Sequence, residues 1–304
     1  MKMEHFVSEN KIPSVSIIVP AYNEAGAIVD VVEGLDRLYP DYEILVINDG
    51  STDNTADFLK DKPCRLVTHQ INRGYGASWK TGIASASAEI VVFYDGDGQF
   101  DPLDVGRLVE EINASGVDLV IAQRGADSHA PLSRRPGKAV LAAVANFLVK
   151  KKILDLNCGL RAFRKSIVQR YTHLFPEGFS ASTTSTIVFI KRGYRISHVP
   201  IKVTERIGTS TVRPIADGFN TILSMIRLIA LFDPLRIFLS FSLALFITAV
   251  GYSAFEISFR GLGVPVFGAV LLLSSVLFFA LGIISDQISQ LRLERYENNK
   301  TKDH

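Results

Sequence analysis

The segment that most constrains the fold is a short apolar run that ends in two acids. Ile90–Tyr94 is apolar or aromatic throughout and leads directly into Asp95-Gly96-Asp97. A continuous apolar run bounded by glycine predicts a strand buried on both faces of a parallel sheet. Because ligands bind beyond the carboxyl ends of such strands, we expect Asp95 and Asp97 to lie at a binding site. Their carboxylate oxygens, with the amide oxygen of Gln99, suit Mg²⁺ or Mn²⁺.

The first 122 residues alternate between strand-like and helix-like patterns. Strands are predicted at 15–20, 43–49, 65–68, 90–94 and 118–122, with helices around 28–35, 77–86 and 105–112. We expect Pro20 to stop the first strand and residues 50–55 to form a turn that starts a further helix. A later strand is predicted at 196–203. This alternation predicts an α/β fold with a mostly parallel, doubly wound sheet, in which Asp49 is a second acid at a ligand-facing strand end.

Two uncharged stretches lie near the C-terminus and account for a mean hydropathy of +0.21 in a chain with 21% charged residues. Ile237–Phe255 and Val264–Ile284 are about 19 and 21 residues long, enough to span a membrane. The loop between them carries only Arg260 as a basic residue. The basic residues that flank the pair of stretches on their other side are Arg227 and Arg236 before the first, and Arg292, Arg295, Lys300 and Lys302 after the second. This distribution predicts that both termini and the N-terminal domain are cytoplasmic.

Charge and cysteine content exclude several classes of function. A net charge of +2 and a pI near 8.4 are too mild to indicate nucleic-acid binding. Cys64 and Cys158 are far apart, which argues against a zinc site or a disulfide framework and fits a reducing compartment. The acidic segment lacks the glycine and the final glutamate of a calcium loop, and no dinucleotide or Walker fingerprint is complete. No role is assigned to any of the six histidines.

Four N-terminal motifs occur in an order typical of one family. They are Val15–Glu24 (VSIIVPAYNE), Asn48–Thr55 (NDGSTDNT), Asn72–Ala77 and Asp95–Gln99 (DGDGQ). Together they resemble the inverting GT-A glycosyltransferases of family 2. The segment Cys158–Phe163 and the two C-terminal spans narrow the resemblance to the polyprenyl-phosphate glycosyltransferases, the group that includes dolichyl-phosphate mannose synthase.

The resemblance implies transfer of a hexose from a UDP- or GDP-linked sugar to a membrane polyprenyl phosphate, either undecaprenyl or dolichyl phosphate. It implies that Pro20, Tyr22, Glu24 and Asp49 line the base and ribose pocket, that Asp95 lies near the ribose and phosphates, and that Asp97 and Gln99 bind the metal. It further implies that Arg124 and one of Arg134 and Arg135 face the acceptor phosphate, and Arg206 the donor diphosphate. The implied catalytic residues are Asp95, Asp97, Arg124 and Arg206.

The acceptor chemistry bears on Thr184, which stands where many relatives carry an acid. A phosphate monoester has a second pKa of about 6, so it is already a nucleophilic anion at neutral pH. The site therefore needs cations to position the acceptor, and guanidinium groups match phosphate geometry. An acid at position 184 is not required for proton transfer.

The implied domain organisation has four parts. Residues 1–214 form a cytoplasmic catalytic domain, 215–232 an amphipathic helix, 233–288 two transmembrane helices, and 289–304 a cytoplasmic tail. The amphipathic segment is expected either to lie on the membrane or to pack on the domain's own core. Gly251, Gly268 and Gly282 permit close helix contacts and hence a homo-oligomer. The expected location is the cell membrane, or the endoplasmic reticulum membrane in a eukaryote.

Two other functions remain open. One is glycosyl transfer to another lipid acceptor, such as a lipid-linked saccharide or a diacylglycerol, although a hydroxyl acceptor would need a base. The other is a non-catalytic membrane subunit that binds a nucleotide sugar. The presence of Asp95, Asp97 and Gln99 together disfavours this second function.

Overall fold

The computed structural model describes residues 14–125, 155, 158–178, 180–204, 223, 232–261 and 265–298. The chain divides into two compact units, Met1–Ser224 and Met225–His304. Of the predicted amphipathic segment 215–232, only residues 223 and 232 are among those described.

The described part of the N-terminal unit is built on a seven-stranded sheet in the order β3-β2-β1-β4-β6-β5-β7. The strands are β1 (Val15–Ala21), β2 (Glu43–Asn48), β3 (Arg65–Thr68), β4 (Ile90–Phe93), β5 (Leu119–Arg124), β6 (Arg161–Arg164) and β7 (Ile196–Ile201). The helices are α1 (Ile28–Leu38), α2 (Tyr75–Ser85), α3 (Leu103–Ala114), α4 (Lys165–Val168) and α5 (Ala181–Lys191). All neighbouring strands are parallel except β6, which is antiparallel to β4 and β5.

The core confirms the predicted mostly parallel, doubly wound sheet. All residues of β1 and β4 are buried, as expected for strands covered on both faces. Helix α1 buries Ile28, Val31, Val32 and Leu35, and α3 buries Val105, Leu108, Val109 and Ile112. On α2, Trp79 stacks against Phe93 of β4 with ring centroids 3.8 Å apart. The apolar periodicity in the sequence therefore identified the buried helix faces.

The prediction that Pro20 stops the first strand is wrong by one residue, because β1 continues to Ala21. The carbonyl of Ile18 accepts from Tyr94 on the β4 side, whereas the carbonyl of Ala21 accepts from Asp49 on the β2 side. Pro20 follows Ile18 by two residues, so its nitrogen faces the β4 side, where β4 has already ended. A proline, which lacks an N–H, is tolerated at such a position.

The predicted helix after residues 50–55 is also wrong, since only a 3₁₀ turn at Asp57–Leu59 follows in the chain. The Asp53 carboxylate accepts from the backbone N–H and the hydroxyl of Thr55. Such local side-chain bonds offer the backbone an alternative to helix. Strand β5 extends to Arg124, beyond its predicted end, and β6 was not predicted as a strand.

The C-terminal unit contains two long helices, α6 (Pro234–Arg260) and α7 (Val266–Asn298). Segments Pro234–Phe259 and Val266–Leu291 are long and apolar enough to cross a membrane, and they expose most of their apolar surface. The Ser242 and Ser275 hydroxyls each donate to the other residue's carbonyl, at 2.9 and 3.0 Å. These two bonds join the helices through polar groups that are shielded from the apolar exterior.

The three glycines predicted to allow close helix contact differ in their surroundings. A Cβ added at Gly268 would meet the Ser253 hydroxyl, and one at Gly282 would lie 2.7 Å from the Phe238 Cβ. Both glycines therefore allow α6 and α7 to approach closely within one chain. An added Cβ at Gly251 would meet no described atom within 4 Å.

Candidate active site

Several strand ends meet at one edge of the sheet. Ala21 is paired with Asn48, and Ile18 with Phe93, so the segments after β1, β2 and β4 all begin there. Because β6 is antiparallel, its first residue, Arg161, is paired with Phe93 at the same edge. The described residues that the sequence analysis assigned to the site all lie at this edge: Pro20, Tyr22, Glu24, Asp49, Asp95, Asp97, Gln99 and Arg124.

The loops that follow β1 and β2 are joined by hydrogen bonds. The Asn23 N–H donates to the Ser51 hydroxyl at 3.0 Å, and the Thr52 N–H donates to Asn23 Oδ1 at 2.8 Å. The Glu24 N–H donates to Thr55 Oγ1 at 2.9 Å. Asn23 has a φ of 56°, a conformation that asparagine tolerates better than most residues. These bonds fix the backbone that carries Tyr22 and Glu24.

Asp49 is buried and is surrounded by donors. Its carboxylate accepts from His69 Nδ1 at 2.6 Å, from the Arg73 N–H at 2.9 Å and from the Gly74 N–H at 2.7 Å. Gly74 has a φ of 100°, and a Cβ there would lie 2.5 Å from the Glu177 carbonyl oxygen. Glycine is therefore needed for the chain to wrap around the Asp49 carboxylate. The role of His69 could not be predicted from the sequence, because its contact with Asp49 is not reflected in any spacing along the chain.

Asp95 lies beside two residues that hold it in place. Its Oδ1 accepts from the Tyr75 hydroxyl at 2.6 Å. Burial, and then the nearby Asp95 charge, raise the pKa of Tyr75 well above its ordinary value, so Tyr75 stays protonated and donates. A Cβ added at Gly159 would lie 2.3 Å from Asp95 Oδ2, so only glycine allows this approach.

Asp97 and Gln99 occupy the turn after β4. Asp97 is 7% exposed, and its Oδ1 accepts from the Gln99 N–H at 3.2 Å. The Gln99 side-chain nitrogen donates to the Thr204 carbonyl at 3.3 Å, and the Thr204 N–H donates back to the Gln99 carbonyl at 3.0 Å. These bonds orient the Gln99 amide with its nitrogen towards Thr204.

The side-chain oxygens of Asp97 and Gln99 are donors that fit a hard divalent cation. Within the described ranges, no group of three or more His, Cys, Asp or Glu side chains is placed to hold a metal ion. Carboxylate and amide oxygens from Asp97 and Gln99 would form part of an octahedral shell. Mg²⁺ commonly binds in this way, through one or two carboxylates together with substrate phosphates and water.

Arg124, at the end of β5, forms a bidentate ion pair with Asp155. Its Nε and Nη2 donate to the two Asp155 oxygens at 2.8 and 2.9 Å, and the Cys158 N–H donates to Asp155 Oδ1 at 3.1 Å. Burial lowers the pKa of Arg124, but the hydrogen bonds and charge of Asp155 outweigh burial and raise it overall. The sequence analysis did not anticipate Asp155 as a partner. Arg134, Arg135 and Arg206 lie outside the described residues.

Arg161 is a fully buried cation that the sequence analysis assigned no role. Its guanidinium lies over the Trp79 ring, 5.6 Å from the centroid. Its acceptors are Cys158 O at 2.6 and 3.0 Å, Ser182 O at 2.8 Å, Ser185 Oγ at 2.9 Å and Thr186 Oγ1 at 3.1 Å. Burial lowers the pKa of Arg161. The only signal in the sequence is an arginine set among the apolar residues Leu160, Ala162 and Phe163.

Thr184 lies in the first turns of α5 and is buried. Its N–H donates to the Ser180 carbonyl at 2.9 Å, as an ordinary helical residue does. The residues around it, at and just before the start of α5, also carry hydroxyls and are all buried, namely Ser180, Ser182, Thr183, Ser185 and Thr186. This turn therefore presents hydroxyl groups and no carboxylate.

Comparison with known proteins identifies the family. The model of glycosyl transferase family 2 matches residues 16–172, and that of the GtrB C-terminal hairpin matches residues 233–291. Glycosyltransferase AglJ of Haloferax volcanii is 30% identical over 296 residues, covering 93% of this chain and 96% of that protein. The dolichyl-phosphate hexose transferase of the same organism is 28% identical over 215 residues, covering 70% of this chain and 92% of that protein.

Among solved structures, glucosyl-3-phosphoglycerate synthase of Mycobacterium tuberculosis, in complex with Mn²⁺, UDP-glucose and phosphoglyceric acid, shares the fold. The TM-score is 0.57 at 22% sequence identity, and the match covers 71% of this chain and 79% of that chain. This likeness agrees with the mostly parallel sheet. The chain thus belongs to glycosyl transferase family 2, and it is a glycosyltransferase of GT-A fold followed by a GtrB-type hairpin.

Proposed function

We propose that this glycosyltransferase transfers a hexose from a UDP- or GDP-linked sugar to a membrane polyprenyl phosphate. The observation that carries the proposal is the combination, in one chain, of an acid-lined GT-A edge with an apolar helical hairpin. A relative similar over most of its length is a dolichyl-phosphate hexose transferase, which supports the choice of acceptor. A membrane anchor brings a catalytic domain to a lipid that does not leave the bilayer.

The donor nucleotide would bind over the ends of β1, β2 and β4. Pro20, Tyr22 and Glu24 would contact the base and ribose from the first loop, which its bonds to residues 51–55 hold in place. Asp49 would accept hydrogen bonds from the base. Asp95, held by Tyr75, would lie nearer the ribose and phosphates.

Asp97 and Gln99 would bind the divalent cation, with the diphosphate and water supplying the other ligands. When bound, Mg²⁺ or Mn²⁺ supplies positive charge against the negative charge that develops on the leaving nucleoside diphosphate. Arg206 is proposed to contact the same diphosphate. The Gln99–Thr204 bonds fix the turn that carries Asp97 and so would help to hold its carboxylate in place.

The acceptor phosphate would attack the anomeric carbon directly, and a single displacement inverts the configuration at that carbon. The attacking oxygen carries its negative charge at neutral pH, so the chain needs no proton acceptor. Arg124 would bind the phosphate through Nη1, since Asp155 takes its Nε and Nη2. One of Arg134 and Arg135 is proposed as a second phosphate ligand.

The membrane arrangement is likewise a proposal. Both helices of the C-terminal hairpin would span the bilayer, with residues 1–214 and both termini in the cytoplasm. Residues 215–232 would lie along the membrane surface. A homo-oligomer would use surfaces of the hairpin beyond those that Gly268 and Gly282 already use within the chain.

The test is incorporation of labelled hexose from a panel of UDP- and GDP-sugars into lipid, with purified full-length chain, polyprenyl phosphate and Mg²⁺ or Mn²⁺. We expect Asp97→Asn to lower transfer by about a hundredfold or more, because charge stabilisation by a metal contributes several kcal/mol. Asp57→Asn is the matched control, because Asp57 is an exposed acid that forms a surface ion pair with Lys60.

Mass spectrometry of the lipid product identifies the acceptor. Hexose joined directly to polyprenyl phosphate supports the proposal, whereas hexose on another lipid supports the alternative acceptor. Full activity of Asp97→Asn with metal present would refute the metal role. Nucleotide-sugar binding without any turnover would indicate a non-catalytic subunit.

A further inference from the structure

His69 connects three elements at the donor side of the sheet edge. It directly follows β3, and its backbone N–H donates to the Asn48 carbonyl at 2.9 Å. Its Nδ1 lies 2.6 Å from Asp49 Oδ1, and its Nε2 lies 2.9 Å from Thr81 Oγ1 on α2. The His69 and Asp49 side chains are 7% and 4% exposed. Their contact is therefore shielded from water, where a hydrogen bond to a carboxylate is strongest.

For a neutral imidazole, the two contacts of His69 define one arrangement of protons. An ionised Asp49 only accepts, so Nδ1 of His69 carries the hydrogen and donates it. In the neutral ring Nε2 is then an acceptor, and the Thr81 hydroxyl donates to it. A neutral His69 therefore satisfies both neighbours in a chain of bonds that runs from Thr81 through His69 to Asp49.

Among the described residues, protein donors leave one acceptor position of the Asp49 carboxylate unused. A carboxylate offers about four acceptor positions, and here protein groups take three. Oδ1 accepts from His69 and the Arg73 N–H, whereas Oδ2 accepts only from the Gly74 N–H. The remaining position on Oδ2 selects a partner that presents a donor. Uracil and guanine present a ring N–H on their pairing edge, whereas cytosine presents an acceptor nitrogen there.

We propose that His69 is a positioning residue for nucleobase recognition. By holding Oδ1, it fixes the rotation of the Asp49 carboxylate so that Oδ2 accepts the ring N–H of a uracil or guanine nucleotide. The inference rests on the proposed function, because it assumes that Asp49 faces the base of the donor. Thr81 contributes one step further away, by bonding to Nε2 and so holding the orientation of the His69 ring.

The first test measures binding of UDP, GDP and CDP to the purified full-length chain by calorimetry. His69→Leu removes the donor to Asp49, and we expect it to weaken binding of the preferred nucleotide about tenfold, as loss of a hydrogen bond to a charged group does. Binding of CDP should hardly change, so selectivity falls. His69→Asn places an amide N–H close to the position of Nδ1, and it should restore most of the affinity.

A second pair of variants tests the relay through Thr81. Thr81→Val keeps the shape of the side chain but removes the hydroxyl, and we expect about two- to threefold weaker binding. Thr81→Ser keeps the hydroxyl and should bind like the unmodified chain. If His69→Leu does not fold, this pair decides the inference, because both variants change only one methyl or hydroxyl group.

The kinetic readout separates positioning from a general structural effect. Because Asp49 is assigned to the base and not to the reacting bond, His69→Leu should raise the donor KM about tenfold and leave kcat within about twofold. A loss confined to kcat would overturn the inference, as would unchanged affinity and selectivity in His69→Leu. Equal defects in His69→Asn and His69→Leu at an unchanged Tm would also overturn it.

The proposed function and this inference fail in distinguishable ways. A chain that binds UDP or GDP but never glycosylates polyprenyl phosphate refutes the proposed function, while the binding data still decide the role of His69. A chain that binds neither UDP nor GDP, or binds CDP as tightly, overturns the inference on His69.

Discussion

The two halves of the sheet bring opposite charges to the same edge. In the parallel half, β3-β2-β1-β4, the strand ends lead to Asp49, Asp95 and Asp97, and N–H or O–H donors contact all three. In the mixed half, β6-β5-β7, the corresponding residues are Arg124 and Arg161, and oxygen acceptors hold them. The proposed reaction needs both charges, since the acids would bind the metal and the base, whereas cations such as Arg124 would bind phosphate.

Strand direction explains why Arg161 lies deeper in the sheet than the acids do. A parallel strand arrives at this edge with its carboxyl end, so its polar residue follows an apolar run and lies in a loop. Strand β6 runs the other way, so its first residue, Arg161, lies at the edge while still inside the sheet. The acids therefore lie in loops beyond the strand ends, whereas Arg161 is completely buried within the sheet. We infer that the acids act by contact and that Arg161 acts by holding neighbouring segments together.

The largest effect is expected from Arg161→Met. This change leaves the Cys158 carbonyl without the two N–H groups that it accepts, and it removes the cation over Trp79. An unsatisfied buried acceptor and lost packing should cost about 3 kcal/mol in the free energy of unfolding. The apparent Tm in detergent should fall by about 6–12 °C.

Arg164→Met is the matched control, because it lies on the same strand and its side chain is 26% exposed, 3.6 Å from Glu89. A surface pair of this kind should contribute less than about 1 kcal/mol. Equal Tm values for the two variants would contradict the assignment of Arg161 as a structural cation.

Gly159→Ala should have an intermediate effect, mainly on activity. The added methyl would lie 2.3 and 2.7 Å from the two Asp95 oxygens, so the carboxylate must rotate and its bond to Tyr75 must break. We expect kcat to fall about ten- to hundredfold, because a shift of about 1 Å in a catalytic group has that effect. The Tm should fall only slightly, since a side chain moves and the backbone does not.

Gly125→Ala is the control for this change, because a Cβ at Gly125 meets no described atom within 4 Å. Hexose transfer by each variant, at saturating donor and acceptor, gives the comparison. Unchanged transfer by Gly159→Ala would show that the position of Asp95 is not critical.

The smallest effect is expected from removing the charge of Glu43, which lies at the opposite edge of the parallel half. Burial raises the pKa of Glu43, but hydrogen bonds from Ser16 and Ser87, and then from Arg65, outweigh burial and lower it overall. A folded-state pKa below the unfolded value, about 4.3, stabilises the fold above that pH. This contribution is lost as the pH falls through the folded-state pKa.

Glu43→Gln should therefore lower the free energy of unfolding by about 1 kcal/mol at pH 7. Between pH 5 and pH 3, the Tm of this variant should fall less than the Tm of the unmodified chain. Thermal unfolding at several pH values measures both. Glu89→Gln is the control, because the Glu89 side chain is 76% exposed. An identical acid response in Glu43→Gln and the unmodified chain would mean that the Glu43 charge does not contribute.

Most of the parallel half could be predicted, because its signals are local. The apolar run before Asp95 predicted β4 and the edge at which its acids lie, and the periodicity of α1 and α3 predicted their buried faces. The helix predicted after residues 50–55 failed because the Asp53 side chain bonds to Thr55 and Ala25 and turns the backbone aside. The residue pattern in the sequence does not show whether a side chain will take the backbone N–H groups that a helix would need.

The mixed half was less predictable, because its contacts join residues far apart in the chain. Strand β6 has four residues and lies between β4 and β5, so its pairing partners precede it by many residues. Its buried arginine resembles a surface arginine in the sequence until the acceptors from α5 are placed beside it. The same holds for the Arg124–Asp155 pair and for the contact of His69 with Asp49.

The sequence by itself determined which residues could act, since apolar runs, turn glycines and the acids beyond them follow from local chemistry. It also determined the two apolar helices, because length and hydropathy suffice to define them. Only the tertiary structure decided how the charges are held, with Asp49 by His69 and two backbone N–H groups, Asp95 by Tyr75 and Arg161 by neutral oxygens. The reason is physical: a buried charge depends on hydrogen-bond partners that folding brings from distant parts of the chain.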